Sequence, residues 1–131
     1  MWIQTRRNKY NATKTYHNGI VYHSKFEASI AQELDLRIKA KELKGWDRQV
    51  KFEFWLYKKG KNWILTDKVP SNTMQKMHLT NYYLDFVAYR VDGIKEFIEV
   101  KGMETAGWKL KWRLLESLYG DDKMVELKVI K

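Results

Sequence analysis

Residues 81–102 read NYYLDFVAYRVDGIKEFIEVKG, the pattern of two strands joined by a tight turn. Asp85 lies on the first strand, and Glu99 and Lys101 lie two residues apart on the second. Side chains on a strand alternate between the two faces of a sheet. We therefore expect Glu99 and Lys101 on one face, with Val100 directed into the core. Whether Asp85 joins them depends on the strand register.

Two turns fit this hairpin. A two-residue turn at Asp92 and Gly93 would place Asp85 opposite Val100, whereas a three-residue turn at 91–93, with Gly93 left-handed, would place it opposite Glu99. The first turn would bury an unpaired carboxylate among apolar side chains, which is costly. The second gives one face that is entirely apolar, and a slip of one residue would exchange the two faces. The expected core face is Leu84, Phe86, Ala88, Ile98 and Val100, and the opposite face is Tyr83, Asp85, Val87, Phe97, Glu99 and Lys101.

The composition limits the classes of protein that the chain can belong to. Its 131 residues, of which 44% are hydrophobic, predict a single domain over 1–131. The absence of cysteine excludes disulfides, thiolate zinc sites and thiol nucleophiles. No apolar run approaches the roughly 20 residues of a membrane span, and the start lacks the apolar segment of a signal peptide. We expect no membrane partner, and a cytoplasmic location.

The charge predicts a polyanionic partner. The formal net charge is +9, and residues 1–26 contain no acid. Aromatic residues alternate with lysines and arginines in this segment, so residues 1–14 are interpreted as a basic arm that lies along the phosphates of a nucleic acid. The residues expected to contact nucleic acid are Arg6, Arg7, Lys9, Lys14, Lys25, Gln49, Lys109 and Arg113.

The first helix is predicted over residues 24–44, ending at Gly45. Ser24 and Glu27 have the spacing of a capping box, in which a glutamate bonds back to the helix start. However, Glu27 also falls inside the apolar arc of the helix, where a carboxylate needs a partner such as a metal. Both interpretations of Glu27 fit this helix equally well.

The remaining elements follow from apolar periodicity. A hairpin is predicted at 15–23 around Asn18 and Gly19, strands at 48–58 and 62–66, a loop at 67–79, a helix at 105–119 and a strand at 124–130. His17 and His23 could be metal ligands, but no carboxylate or cysteine lies at ligand spacing, so they are interpreted as surface or hydrogen-bonded residues. His78 has no recognisable partner, and the tryptophans of the second helix fit a core stripe. Helices before and after a hairpin-containing sheet predict an α/β fold.

Asp85, the Glu99-Val100-Lys101 triplet and the upstream Glu27, in this order of elements, resemble the PD-(D/E)xK nuclease superfamily over residues 22–130. The segments YHSKFEA, QVKFEF, YYLDFVAY and EVKGMET are similar to small phage-encoded endonucleases and to phage Holliday-junction resolvases. Leu84 stands where the superfamily's name has proline. The resemblance implies a restriction-endonuclease-like mixed sheet flanked by helices, divalent-metal-dependent hydrolysis of DNA, and a homodimer.

Chemistry assigns roles to these residues. Magnesium prefers oxygen ligands, which Asp85, Glu99 and the Val100 carbonyl would supply, with Glu27 holding a second metal or orienting water. Manganese is an alternative ion, and no small-molecule cofactor is expected. Lys101 would stabilise the attacking hydroxide or the transition state. The alternatives are a non-catalytic nucleic-acid-binding module, or a nuclease subunit of a recombination or packaging complex.

Overall fold

The computed structural model describes residues 15–17, 20–22 and 24–131. The basic arm, and with it Arg6, Arg7, Lys9 and Lys14, lies outside this range. The elements are β1 (Thr15–His17), β2 (Ile20–Tyr22), α1 (Lys25–Lys39), β3 (Leu43–Lys59), β4 (Asn62–Thr66), β5 (Lys76–Arg90), β6 (Lys95–Val100), α2 (Ala106–Tyr119) and β7 (Val125–Ile130). None of the helices within these ranges is long and apolar enough to cross a membrane.

The fold is a mixed α/β architecture, as predicted. Five strands form one sheet in the order β4-β3-β5-β6-β7, and β1 and β2 form a separate antiparallel hairpin at the predicted place. All neighbours in the large sheet are antiparallel except β6 and β7, which are parallel and are joined through α2. This mixed sheet, flanked by two helices, is consistent with the restriction-endonuclease-like fold.

Each helix packs on its own core cluster. The α1 cluster contains apolar residues of that helix together with Leu43, Phe86, Ala88 and Ile98. The α2 cluster contains Trp108, Trp112 and Leu115 together with apolar residues of β3, β5 and β6. The tryptophans of α2 are therefore core residues, as the sequence predicted. Val87 and Phe97, which the sequence places on the same face as Asp85, are buried in the α2 cluster. Both faces of the central strands are therefore covered.

The hairpin between β5 and β6 confirms the predicted register. Phe86 pairs with Ile98, and the backbone N–H of Arg90 donates to the carbonyl of Ile94 at 2.9 Å, which leaves residues 91–93 as the connection. Gly93 has a φ of +92°, as the three-residue turn requires. The predicted core face needs one correction: Leu84 packs in the α2 cluster, whereas Phe86 packs in the α1 cluster.

Three element boundaries differ from the predictions. The first helix ends at Lys39 rather than at 44, because Lys41 takes a φ of +63° and Leu43 is buried as the first residue of β3. The strand predicted at 48–58 is therefore longer at its beginning. The predicted loop 67–79 ends early, since β5 begins at Lys76. His78 has partners after all: its Nε2 lies 2.8 Å from Oδ1 of Asn81, and its ring packs on Trp55.

Candidate active site

Asp85 lies where the regular pairing of three strands is interrupted. The ladder between β5 and β6 ends at the pair Phe86–Ile98, one position before Asp85 and Glu99 would face each other. The Asp85 carboxylate takes over at this point, because its Oδ2 accepts a hydrogen bond of 2.8 Å from the backbone N–H of Val100. Asp85 thus holds the end of β6, and Glu99 with it, at a fixed distance from β5.

Gln49 marks the same interruption on the other side of Asp85. Pairing between β3 and β5 runs from Arg48–Phe86 to Val50–Leu84 and omits Gln49 and Asp85. Gln49 has a φ of +51°, a left-handed conformation that is uncommon for a residue with a side chain. Its Nε2 donates to Oδ1 of Asp85 at 3.2 Å. Gln49 lies inside β3 rather than at its start, and it contacts the acidic residue directly.

Glu99 is buried, with 4% of its surface exposed, and belongs to a network that reaches α2. Its Oε1 accepts a hydrogen bond of 2.7 Å from the Tyr82 hydroxyl, which in turn accepts one of 3.2 Å from the indole N–H of Trp108. Burial raises the pKa of Glu99, and the nearby charge of Asp85 raises it further, against the effect of Tyr82 and Lys101. Burial and the Glu99 charge also raise the pKa of Tyr82, so the hydroxyl stays a donor.

Lys101 lies beside Glu99, as the strand alternation predicted. Its Nζ is 3.3 Å from Oε2 of Glu99 and 5.1 Å from the centre of the Trp108 ring. The Lys101 side chain is about one quarter exposed. A cleft of about 550 Å³ opens next to it, lined by Phe26, Lys101, Gly102, Met103, Glu104, Lys109 and Lys131. The ammonium group can therefore contact both Glu99 and a ligand in the cleft.

Glu27 joins the helix cap through its backbone, while its carboxylate is turned inward as the second interpretation expects. Ser24 caps the helix by accepting a 3.1 Å hydrogen bond from the Glu27 backbone N–H. The Glu27 carboxylate is directed into the protein, where its Oε1 lies 3.8 Å from the Arg48 guanidinium and accepts no hydrogen bond within the described residues. Burial and the charge of Asp85 raise the pKa of Glu27 to about 7, against the effect of Arg48. The side chain is thus part of the acidic cluster.

The structure brings most of the predicted site residues together. Glu27, Asp85 and Glu99 lie close enough for the Asp85 charge to raise the pKa of both glutamates, and Gln49 and Lys101 bond to this cluster. Lys25, Lys109 and Arg113 are separate from it and exposed. Lys109 nevertheless lines the cleft beside Lys101, and Arg113 follows it by one turn on α2.

Three members of the site were not predicted as such: Arg48, Tyr82 and Trp108. Arg48 and Tyr82 belong to different strands and reach the acids only through pairing that the sequence does not specify. Trp108 was correctly placed in the core, but its indole N–H also holds the Tyr82 hydroxyl. A buried tyrosine or tryptophan usually finds a partner for its polar atom, and this is the one signal that could have linked these two residues.

The donor set fits a hard divalent cation that keeps much of its water. Within the described ranges, no group of three or more histidine or acidic side chains stands ready to hold a metal ion. Magnesium does not need such a cage, because it is usually bound by one or two carboxylates and several waters. The charge of Asp85 raises the pKa of both Glu27 and Glu99, and Oε1 of Glu27 is buried without a hydrogen bond from the described residues, so a bound cation would relieve this site.

These observations define a mixed α/β protein with a buried cluster of acidic residues at a break in its sheet. The chain belongs to the family described as a protein of unknown function (DUF1064), whose family model matches residues 7–131. No curated protein and no solved structure matches the chain.

Proposed function

We propose that this protein is a divalent-metal-dependent endodeoxyribonuclease of the PD-(D/E)xK type that hydrolyses phosphodiester bonds in branched DNA. One observation carries the proposal: Asp85 and Glu99 are held at the end of paired strands, with Lys101 bonded to Glu99 and Glu27 directed at the same point from α1. A carboxylate pair with an adjacent lysine is suited to phosphodiester hydrolysis, which needs both a bound metal and a local positive charge.

The residues of the chain would divide the work as follows. Asp85 and Glu99 would hold magnesium or manganese, which supplies an activated water and neutralises charge on the phosphate when bound. The Val100 N–H and Gln49 orient the Asp85 carboxylate, and Tyr82 orients that of Glu99. Lys101 places a positive charge where the phosphate gains negative charge in the transition state.

Glu27 is suited to proton transfer. Its pKa of about 7 lies near working pH, where a group can both accept and release a proton. In this proposal Glu27 takes a proton from the attacking water, and Arg48 stabilises the ionised form at 3.8 Å. A second role, as ligand for a further metal, uses the same oxygen atoms, so the two roles predict the same loss when Glu27 is replaced.

The second candidate function is a nucleic-acid-binding module without catalysis, which the basic charge alone would support. The buried acids argue against it. A surface that only binds phosphate gains nothing from carboxylates, because they repel the ligand and cost free energy when buried. A nuclease that works as a subunit of a larger complex keeps the same site and differs only in its partners.

The deciding experiment combines cleavage and binding. Asp85→Asn keeps the side-chain shape and removes the negative charge, so cleavage of a labelled four-way junction in magnesium should be abolished. DNA binding in EDTA should be unchanged or tighter. Lys101→Ala should also abolish cleavage but should weaken binding, since it removes a positive charge. Asp122→Asn, on the turn after α2, is the matched control and should cut normally.

Two results would overturn the proposal. The first is wild-type protein that binds junctions, flaps and duplexes but cuts none of them across titrations of magnesium and manganese. The second is an Asp85→Asn protein with wild-type cleavage, which would show that the activity belongs to another site or to a contaminant.

A further inference from the structure

The half of the sheet that lies beyond the acidic site has one face that neither described helix covers. Phe52 and Phe54 of β3, and Tyr82 and Leu84 of β5, point into the α2 cluster. Because side chains alternate along a strand, the residues between them point away from α2. The buried partners of α1 on the sheet lie on the other side of Asp85, at Leu43, Phe86, Ala88 and Ile98.

Aromatic and basic side chains dominate this face, which also carries Glu53 and Asn81. We call the set the aromatic–basic strip; it consists of Lys51, Trp55, Tyr57, Lys76, His78 and Tyr83. Cross-strand pairing brings them side by side: Lys51 lies opposite Tyr83, Trp55 opposite His78, and Tyr57 opposite Lys76. The Trp55 and His78 rings are 4.8 Å apart, and the Lys76 ammonium lies 5.9 Å from the Trp55 ring.

Tyr83 is an exposed ring of the strip and the one nearest to the acids. It is 52% exposed, an unusual exposure for an aromatic residue in the middle of a sheet. It precedes Asp85 by two residues, which corresponds to about 7 Å along the strand. Lys51, its cross-strand neighbour, follows Gln49 by two residues on β3. A ligand group that lies on Tyr83 is therefore adjacent to the proposed site of hydrolysis.

We propose that the aromatic–basic strip binds a single-stranded DNA segment that continues from the scissile phosphate. The inference rests on the proposed function for the position of that phosphate. Exposed rings stack on unpaired bases, and neighbouring lysines pair with the phosphates between them, which is the usual chemistry of single-strand binding. The charge of the strip favours this occupant over an apolar partner, since Lys51 and Lys76 outnumber Glu53, the one acid that the described parts of β3 and β5 add to this face outside the acidic site.

A base stacks on Tyr83, and the Trp55–His78 pair receives a second base further from the acids. The Lys51 ammonium lies opposite Tyr83 in the strand pairing and pairs with the phosphate that links them. Paired bases cannot stack on these rings, because their faces are occupied by neighbouring base pairs. The strip therefore directs the enzyme to DNA that has an unpaired segment beside the cut, as in a flap, a tailed duplex or an opened junction.

The test measures binding by fluorescence anisotropy of the full-length protein in EDTA, which separates binding from cleavage. The probes are a labelled duplex with a single-stranded thymidine tail and the blunt duplex of the same sequence. Wild-type protein should prefer the tailed probe. Tyr83→Ala should lower the ratio of tailed to blunt affinity by about 5- to 150-fold, the range expected for losing one stacked base. Tyr83→Phe, which keeps the ring, should retain the preference.

The chain offers matched controls on the opposite face of the same strands. Trp63 is an exposed tryptophan of β4 that pairs with Lys58, so both point away from the strip. Trp63→Ala and Lys58→Ala should leave the tail preference unchanged, whereas Lys51→Ala should reduce it. Circular dichroism and light scattering on each variant will test whether its fold and its mass match those of wild type.

Three results would overturn the proposal that the strip binds single-stranded DNA. They are an unchanged tail preference in Tyr83→Ala, an equal loss in Trp63→Ala, or a Tyr83→Ala protein whose mass falls from dimer to monomer, which would make this face an interface between copies. Failure of the proposed function is seen separately. If wild-type protein never cuts DNA but prefers the tailed probe, and Tyr83→Ala loses that preference, the nuclease proposal is refuted and the proposal for the strip survives. If wild-type protein cuts DNA but Tyr83→Ala keeps the same preference for the tailed probe, the nuclease is supported and the proposal for the strip is refuted.

Discussion

Replacing Glu27 by glutamine should make the protein more stable and inactive at the same time. The glutamine keeps the length of the side chain, and the backbone N–H of residue 27 still bonds to Ser24. What disappears is a carboxylate that is 5% exposed and lies near the charges of Asp85 and Glu99. Burying such a charge opposes folding, so its removal should favour the folded state.

The size and pH dependence follow from the pKa. Folding raises the pKa of Glu27 from 4.5 to about 7, so the folded protein holds the proton more tightly than the unfolded chain. Tighter proton binding by Glu27 in the folded state therefore stabilises the protein. This stabilisation is complete below pH 4.5 and is lost as the pH rises through 7. The shift corresponds to about 3 kcal/mol. Loss of an acidic charge from the first turn of α1 offsets about 0.3–1 kcal/mol of the gain.

Urea denaturation in EDTA at pH 5 and at pH 8.5 measures this effect. We expect the stability gained by Glu27→Gln to be about 2 kcal/mol larger at pH 8.5 than at pH 5. Glu33→Gln, an exposed change on the same helix, is the control and should stay within about 0.5 kcal/mol of wild type. Cleavage by Glu27→Gln should be lost at both pH values.

Two outcomes would refute this reasoning. If Glu27→Gln gains no stability at pH 8.5, the ion pair with Arg48 offsets the free-energy cost of burying the Glu27 carboxylate, and that carboxylate does not destabilise the fold. If the variant gains stability but still cuts normally, Glu27 is buried for structural reasons and takes no part in catalysis. Stability gained together with activity lost is the pattern expected when a site is built at the expense of stability.

Further predictions concern the metal, the network and the turn. Magnesium should raise the melting temperature of wild-type protein but not of Asp85→Asn, because a ligand that binds only the folded state stabilises it; an equal rise in both would place the ion elsewhere. Tyr82→Phe should lower the free energy of unfolding in urea by about 2 kcal/mol, since it removes a hydrogen bond to a buried charge. Tyr89→Phe should lower it less, because the Tyr89 hydroxyl bonds Asp47 at an exposed position. Equal losses would contradict the burial argument. Gly93→Ala should destabilise by about 1 kcal/mol because φ there is +92°, whereas Gly107→Ala in α2 should stabilise by up to about 1 kcal/mol; the same sign for both would refute the turn assignment.

The register of the central hairpin could be predicted because burial constrains it strongly. A one-residue slip would have placed Asp85 among Ile98 and Val100, and the cost of that arrangement selects the turn at 91–93. Strand alternation predicts Glu99 and Lys101 on one side, and the ion pair between their side chains confirms it. Where a pattern is local and one arrangement is much costlier than the other, sequence alone is sufficient.

The remaining errors have a common physical cause, which is pairing between distant segments. Leu43 was placed in a helix because its local pattern is helical, but in the fold it pairs with Arg90 and is buried against α1. Leu84 was assigned by simple alternation, which fails at Asp85, where the strands separate. The contact of Arg48 with Glu27 likewise depends on how β3 packs against α1. Local propensity is weaker than tertiary packing in each case.

The irregular backbone around Asp85 favours a catalytic site over a binding surface. A sheet that served only as a scaffold would gain stability from continuous pairing of β3, β5 and β6, yet pairing is interrupted at Gln49 and Asp85 on adjacent strands. Gln49 adopts a left-handed conformation that costs on the order of 1 kcal/mol or more, and the buried carboxylates add the cost described for Glu27. Such costs persist at functional sites, where geometry that other residues enforce is part of the mechanism. Phosphate binding by a basic face needs none of these features, whereas metal-dependent hydrolysis needs carboxylates that are fixed in place to hold the ion.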